Sequence, residues 1–76
     1  MARVPRPDPC FLDRLIKVSR AGGQRWRNED GNRFYEWDGL HGEIEVYNQR
    51  GIHMGTLNAE TGRREKGPKK GRRIDV

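Results

Sequence analysis

The chain has 76 residues, with Lys+Arg 16 against Asp+Glu 11, a net charge of +5 and a pI near 10.0. That length admits one domain with a small core, and the single cysteine, Cys10, excludes an internal disulfide and any cysteine-rich zinc site. No apolar run approaches the length of a membrane span, and residues 1–9 carry no apolar stretch of the kind a secretory signal needs.

Hydrophobic residues make up 32% and charged residues 36%, a balance that leans toward disorder. The two Trp, two Tyr and two Phe pull the other way for the middle of the chain. An ordered centre with loose ends is expected. The basic balance favours a polyanionic partner, nucleic acid first and an anionic membrane surface second. The free cysteine agrees with a cytosolic protein.

Residues 1–9 place prolines at 5, 7 and 9, which predicts an extended arm. Asp8-Pro9 reads as a helix start, with Asp8 as N-cap and Pro9 at the first helical position. Cys10 to Val18 then repeats apolar residues near helical spacing. Phe11, Leu15 and Val18 share one face, with Leu12 and Ile16 beside them, and Gly22-Gly23 ends the segment. A short amphipathic helix is expected over this stretch, with residues 10–24 forming helix and linker.

Gln24-Arg25-Trp26-Arg27 sets an aromatic between two arginines. Such a ring can stack on an RNA base while the guanidinium groups meet phosphates, or it can seal the core with its arginines in solvent. Asn28 to Asn32 is a turn. Arg33 to Asp38 alternates, with Phe34, Glu36 and Asp38 on one side and Arg33, Tyr35 and Trp37 on the other. Glu43 to Tyr47 alternates as well. If Tyr35 and Trp37 pack beside Ile44 and Val46, the opposite face collects Glu36, Asp38, Glu43 and Glu45. Like charges facing each other on paired strands repel, and repulsion raises carboxylate pKa values. Flanking arginines could equally neutralise such a face in plain surface ion pairs.

Asn48 to Gly51 is a hairpin turn, and Ile52 to Leu57 a third strand. His53 has no carboxylate near it in sequence and reads as structural. Asn58 to Gly62 is another turn. From Arg63 the chain becomes a basic tail carrying Arg63, Arg64, Lys66, Lys69, Lys70, Arg72 and Arg73, with Ile74 and Val76 able to pair a last edge strand. Such a run is commonly a solvated surface. No glycine loop of a nucleotide-binding type appears.

The centre of the chain is Asp38-Gly39-Leu40-His41-Gly42-Glu43-Ile44-Glu45. A glycine-flanked turn between two strands would gather one imidazole and several carboxylates. RNA carries its own nucleophile, the ribose 2′-hydroxyl. Cleavage then needs a base, an acid and cations for the charge on phosphorus, with no metal.

Tyr35-Glu36-Trp37-Asp38, His41-Gly42-Glu43, Glu45, Gly51, His53, Gly55, Thr61-Gly62 and Lys66-Gly67-Pro68 together resemble the C-terminal cytotoxic ribonuclease domain of the ribosome-cleaving colicins (E-three type) and cloacin. The likeness includes Arg25-Trp26 and runs from about Arg25 to Ile74, so residues 25–76 are expected to be a domain of that kind. It implies an α+β, mostly β fold: a small, highly twisted antiparallel sheet with a short N-terminal helix. It implies a metal-free cut in small-subunit ribosomal RNA at the decoding site, which stops translation, with no cofactor. The family's catalytic Asp and His fall on Asp38 and His41, its base on Glu45, an accessory acid on Glu43 and its catalytic arginine on Arg72. RNA contacts are expected from Arg25, Trp26, Arg33, Tyr35, Arg63, Arg64, Lys66, Lys69, Lys70 and Arg73. The implied partners are the ribosome and a dedicated acidic immunity protein or antitoxin, with no membrane partner. The implied site of action is the bacterial cytoplasm, reached by delivery if the chain belongs to a bacteriocin. Two other readings remain: a noncatalytic RNA- or ribosome-binding module, and a module that binds only an acidic partner.

Overall fold

A computed structural model describes residues 3–20 and 23–76. Six strands form one open antiparallel sheet in sequence order: β1 (Ile16–Val18), β2 (Arg25–Arg27), β3 (Arg33–Asp38), β4 (Glu43–Asn48), β5 (His53–Asn58) and β6 (Arg64–Lys66). The fold is mostly β, and its helical content among the described residues is one 3-10 turn, Phe11–Arg14.

The helix expected over Cys10 to Val18 is therefore shorter than its periodicity implies. Cys10, not Asp8, is its N-cap, and the Asp13 carboxylate accepts the Cys10 N–H at 3.0 Å. Leu15 is already extended, and Ile16–Val18 pair with Arg25–Arg27. β-Branched Ile16 and Val18 favour the pleated backbone, and β2 offers them ladder hydrogen bonds. Of the Gly22-Gly23 stop, Gly22 lies outside the described residues, as do Met1 and Ala2 of the arm.

The two central strands keep the register that alternation predicts. Tyr35 opposes Val46 and Trp37 opposes Ile44 on one face, while Glu36 opposes Glu45 and Asp38 opposes Glu43 on the other. The apolar face is the core. Cys10, Leu12, Trp26, Tyr35, Ile44, Val46 and Ala59 cluster there, and Phe11, Leu15, Trp37, Met54 and Leu57 close around them. Leu12 and Ile44 are fully buried, each a gain of roughly 1.5–3 kcal/mol in removed apolar surface.

The tail does not extend as a free strand after β6. It turns at Lys70-Gly71, where the Arg72 N–H donates to the Lys69 carbonyl at 3.2 Å, and returns beside β5. The His53 N–H reaches the Arg72 carbonyl at 3.0 Å, and the Ile74 N–H reaches that of Gly51 at 2.8 Å. Gly51, at φ +80°, lets this happen, because a Cβ there would overlap the Ile74 carbonyl oxygen.

Candidate active site

The polar face of the sheet places four carboxylates in two like-charged cross-strand pairs. Each acid has its own partner from a different element. Arg25 of β2 holds Glu36 at 3.0 Å, and His41 of the β3–β4 turn holds Asp38 at 2.7 Å. Lys66 of β6 holds Glu43 at 3.0 Å, and Arg72 of the tail holds Glu45 at 3.1 Å. These contacts offset the repulsion that bare alternation would create.

Asp38, His41, Glu43, Glu45, His53, Thr56, Lys66, Lys69 and Arg72 line one open cleft of about 190 Å³. The β3–β4 turn presents His41 at its edge. Asp38 Oδ1 accepts the amides of Leu40 and His41, and its Oδ2 accepts from His41 Nδ1. Nδ1 is thus occupied, so Nε2 is the ring nitrogen left to exchange a proton. Burial by itself would raise the Asp38 carboxyl. The hydrogen bonds from the His41 ring and from the His41 and Leu40 amides outweigh it and hold the group below its ordinary value. For Asp38, then, the upward shift expected from crowded acids is reversed by three donors.

Glu45 is the most buried acid of the site, at 4% exposure. Its Oε1 accepts from His53 Nε2 at 2.9 Å and is ion-paired with Arg72 Nη1 at 3.1 Å. Among the described residues no buried side-chain polar atom lacks a partner. Oε2 has none, so it opens onto the cleft. His53 is fixed from its other side, where Nδ1 accepts the Lys69 amide at 2.9 Å. A ring nitrogen that accepts carries no proton, so the proton sits on Nε2 and points at Glu45. Arg72 is anchored in turn by its Nε on the Tyr47 hydroxyl, 3.2 Å away. Burial lowers the Arg72 guanidinium, but Tyr47 and Glu45 outweigh it and keep the group firmly charged.

His53 is the participant that sequence reading passed over. Strict alternation from Thr56 would point it into the opposite face. A bulge between Val46 and Tyr47 shifts the register, so that Tyr47 opposes His53 while Val46 opposes Gly55. The available signal was Gly55, a glycine inside a strand.

The other sequence candidates are divided. Lys66, Lys69 and Arg72 reach the cleft; Arg63, Arg64, Lys70 and Arg73 are exposed on the surface. Arg33 and Arg64 flank a separate hollow with Val46, Met54 and Leu57. Arg25, Trp26 and Tyr35 are buried: Arg25 is paired with Glu36 and Asp75, and Arg6 lies over the Trp26 ring at 5.2 Å. Of the two alternatives for Trp26, sealing the core is the one its burial matches. Donor atoms of Asp38, His41 and Glu43 lie within 4.8 Å of one another, close enough to share a cation, although Glu43 is already bound to Lys66.

The family model described as Cytotoxic matches residues 13–75. Colicin E3 of Escherichia coli is 42% identical over 52 residues, which is 67% of this chain and 9% of that protein. Colicin-E6 of the same organism is 40% identical over 63 residues, and cloacin 38% over 63 residues; each match takes 76% of this chain and 11% of the relative. The chain spans about a tenth of the length of these relatives.

Proposed function

This chain belongs to the Cytotoxic family, and from that premise we propose that it is a toxin endoribonuclease that cuts small-subunit ribosomal RNA at the decoding site. Glu45 takes the proton of a ribose 2′-hydroxyl on its open Oε2. The freed oxygen bonds to the adjacent phosphorus, and the bond from phosphorus to the 5′ oxygen breaks. His41, oriented by Asp38, gives that departing oxygen a proton from Nε2. The products are a 2′,3′-cyclic phosphate and a 5′-hydroxyl. Arg72 stabilises the charge that develops on the phosphate oxygens, with Lys66 and Lys69 at the cleft wall. General acid–base groups of this kind are worth about 10² to 10⁴-fold each.

The observation that carries this reading is the asymmetry of Glu45. One oxygen is held by His53 and Arg72, and the other is free in a cleft that also contains His41. His53 is on this reading a positioning residue, and Glu43 an accessory acid tied to Lys66.

The likeness to colicins and cloacin supports a target in the ribosome and an acidic immunity protein that blocks the basic surface. It supports a toxin delivered to the bacterial cytoplasm as part of a larger protein, or made there with an antitoxin. The test is to add pure protein to bacterial ribosomes and look for one new RNA fragment. His41→Ala and Glu45→Ala should abolish it while the fold persists. Ribosome binding with no fragment from the unaltered protein would favour the noncatalytic binding module instead.

A further inference from the structure

The N-terminal arm precedes the residues that the family model matches, 13–75, yet it touches the turn that carries His41. The Val4 N–H donates to the Gly39 carbonyl at 2.7 Å. The Val4 side chain lies on Gly42, which sits at φ +69°; a Cβ there would be 3.0 Å from Val4 Cγ1. Arg3 lies along Gly39. Both glycines of the turn are thus the points where the arm lands. The contacts fall on the backbone of the turn and leave Leu40 and His41 exposed.

The arm is itself fixed. Val4, Pro5 and Pro7 border a hollow with Trp37, Ala59 and Glu60, and Arg6 covers the Trp26 ring. Further on, the Phe11 N–H reaches the Ala59 carbonyl at 2.7 Å, and the Phe11 ring packs on Gly62. Alternating prolines restrict the arm before it docks, which lowers the entropy lost on docking.

We propose that residues 3–7 are a strap that positions the catalytic turn, with Val4 as its key residue. The inference rests on the nuclease reading above for its consequence, but not for its structural content. Inside the turn, Asp38 holds Gly42 by its carbonyl and His41 by its carboxylate. Without the strap, the Gly39 carbonyl has no such anchor, and the turn that orients the His41 ring is free to rock. The strap acts on the placement of the proton donor and not on ribosome capture, so its loss lowers the rate of cutting at saturation and leaves affinity alone.

The test compares Val4→Pro, which deletes the N–H but suits an extended arm, with Val4→Ile, which keeps both N–H and cover. Three quantities are read: single-turnover cutting of ribosomal RNA, ribosome affinity, and hydrogen exchange at the Gly42 amide. Val4→Pro should slow cutting about tenfold, the size of one lost hydrogen bond. It should speed Gly42 exchange and leave affinity and melting temperature near wild type, and Val4→Ile should cut like wild type. Cutting and Gly42 exchange both unchanged in Val4→Pro would overturn the strap. If the unaltered protein cuts nothing, the nuclease reading fails, and Gly42 exchange alone decides whether the arm holds the turn.

Discussion

Glu45 is an acid at 4% exposure, and a buried polar group needs partners. Arg72 supplies charge, and His53 supplies a directed N–H. His53→Ala should remove that N–H and lower kcat on ribosomes by roughly 10-fold or more with KM little changed. His53→Gln keeps an amide N–H at a similar reach and should recover much of the rate. Equal losses in both variants would make His53 a packing residue only. Asp38 yields a different prediction. Its carboxyl is held below the ordinary value, so its stabilising contribution is complete above about pH 4 and fades as pH falls through the folded value. Melting temperature followed from pH 7 to pH 2 should fall less steeply below pH 4 in Asp38→Asn than in wild type. Parallel curves would show that Asp38 is not a source of acid sensitivity. His53 could not be read from its neighbours in sequence, because its carboxylate comes from β4 across a bulge.

Among the elements, β3 and β4 were legible down to their register. Period-two alternation is a local property, and a hairpin with one apolar face has one register that buries it. The four-acid face followed from the same alternation. The segment 10–18 was not legible. Its apolar spacing fits one helical face, but the outcome is decided by β2, which takes Ile16–Val18 as a strand. An edge pairing near Ile74 was expected and occurs as an Arg73–Ile52 bridge, but its place beside β5 was hidden, since a run of Lys, Arg and Gly has no period to read. That return of the tail depends on Gly51. Gly51→Ala forces both a positive φ and an overlap with the Ile74 carbonyl, at a cost of about 2 kcal/mol or more. Because the same segment carries Arg72, this substitution should reduce cutting beyond what the lost stability explains. Chemical denaturation and single-turnover rates on the same variant check it, and a wild-type midpoint would contradict the account of the tail.

For the whole molecule, a net charge of +5 should steer it toward a polyanionic partner such as the proposed ribosomal target. The cleft is rimmed by Lys66, Lys69 and Arg72, and Lys70 and Arg73 stand exposed beside them in sequence. Binding to ribosomes through phosphates should weaken steeply with salt, and Lys70→Ala should make the log–log slope shallower by about one. A slope unchanged by that substitution would remove Lys70 from the contact surface. The sheet holds the four acids together with Arg25, His53 and Lys66, while the β3–β4 turn and the tail bring His41, Lys69 and Arg72 to them. The most direct measurement is the chemistry of the RNA ends. Ribosomes treated with wild-type protein in the presence of EDTA should yield one cut, ending in a 2′,3′-cyclic phosphate on one fragment and a 5′-hydroxyl on the other, and Glu45→Gln should yield none. A 3′-hydroxyl paired with a 5′-phosphate, or full cutting by Glu45→Gln, would contradict the account.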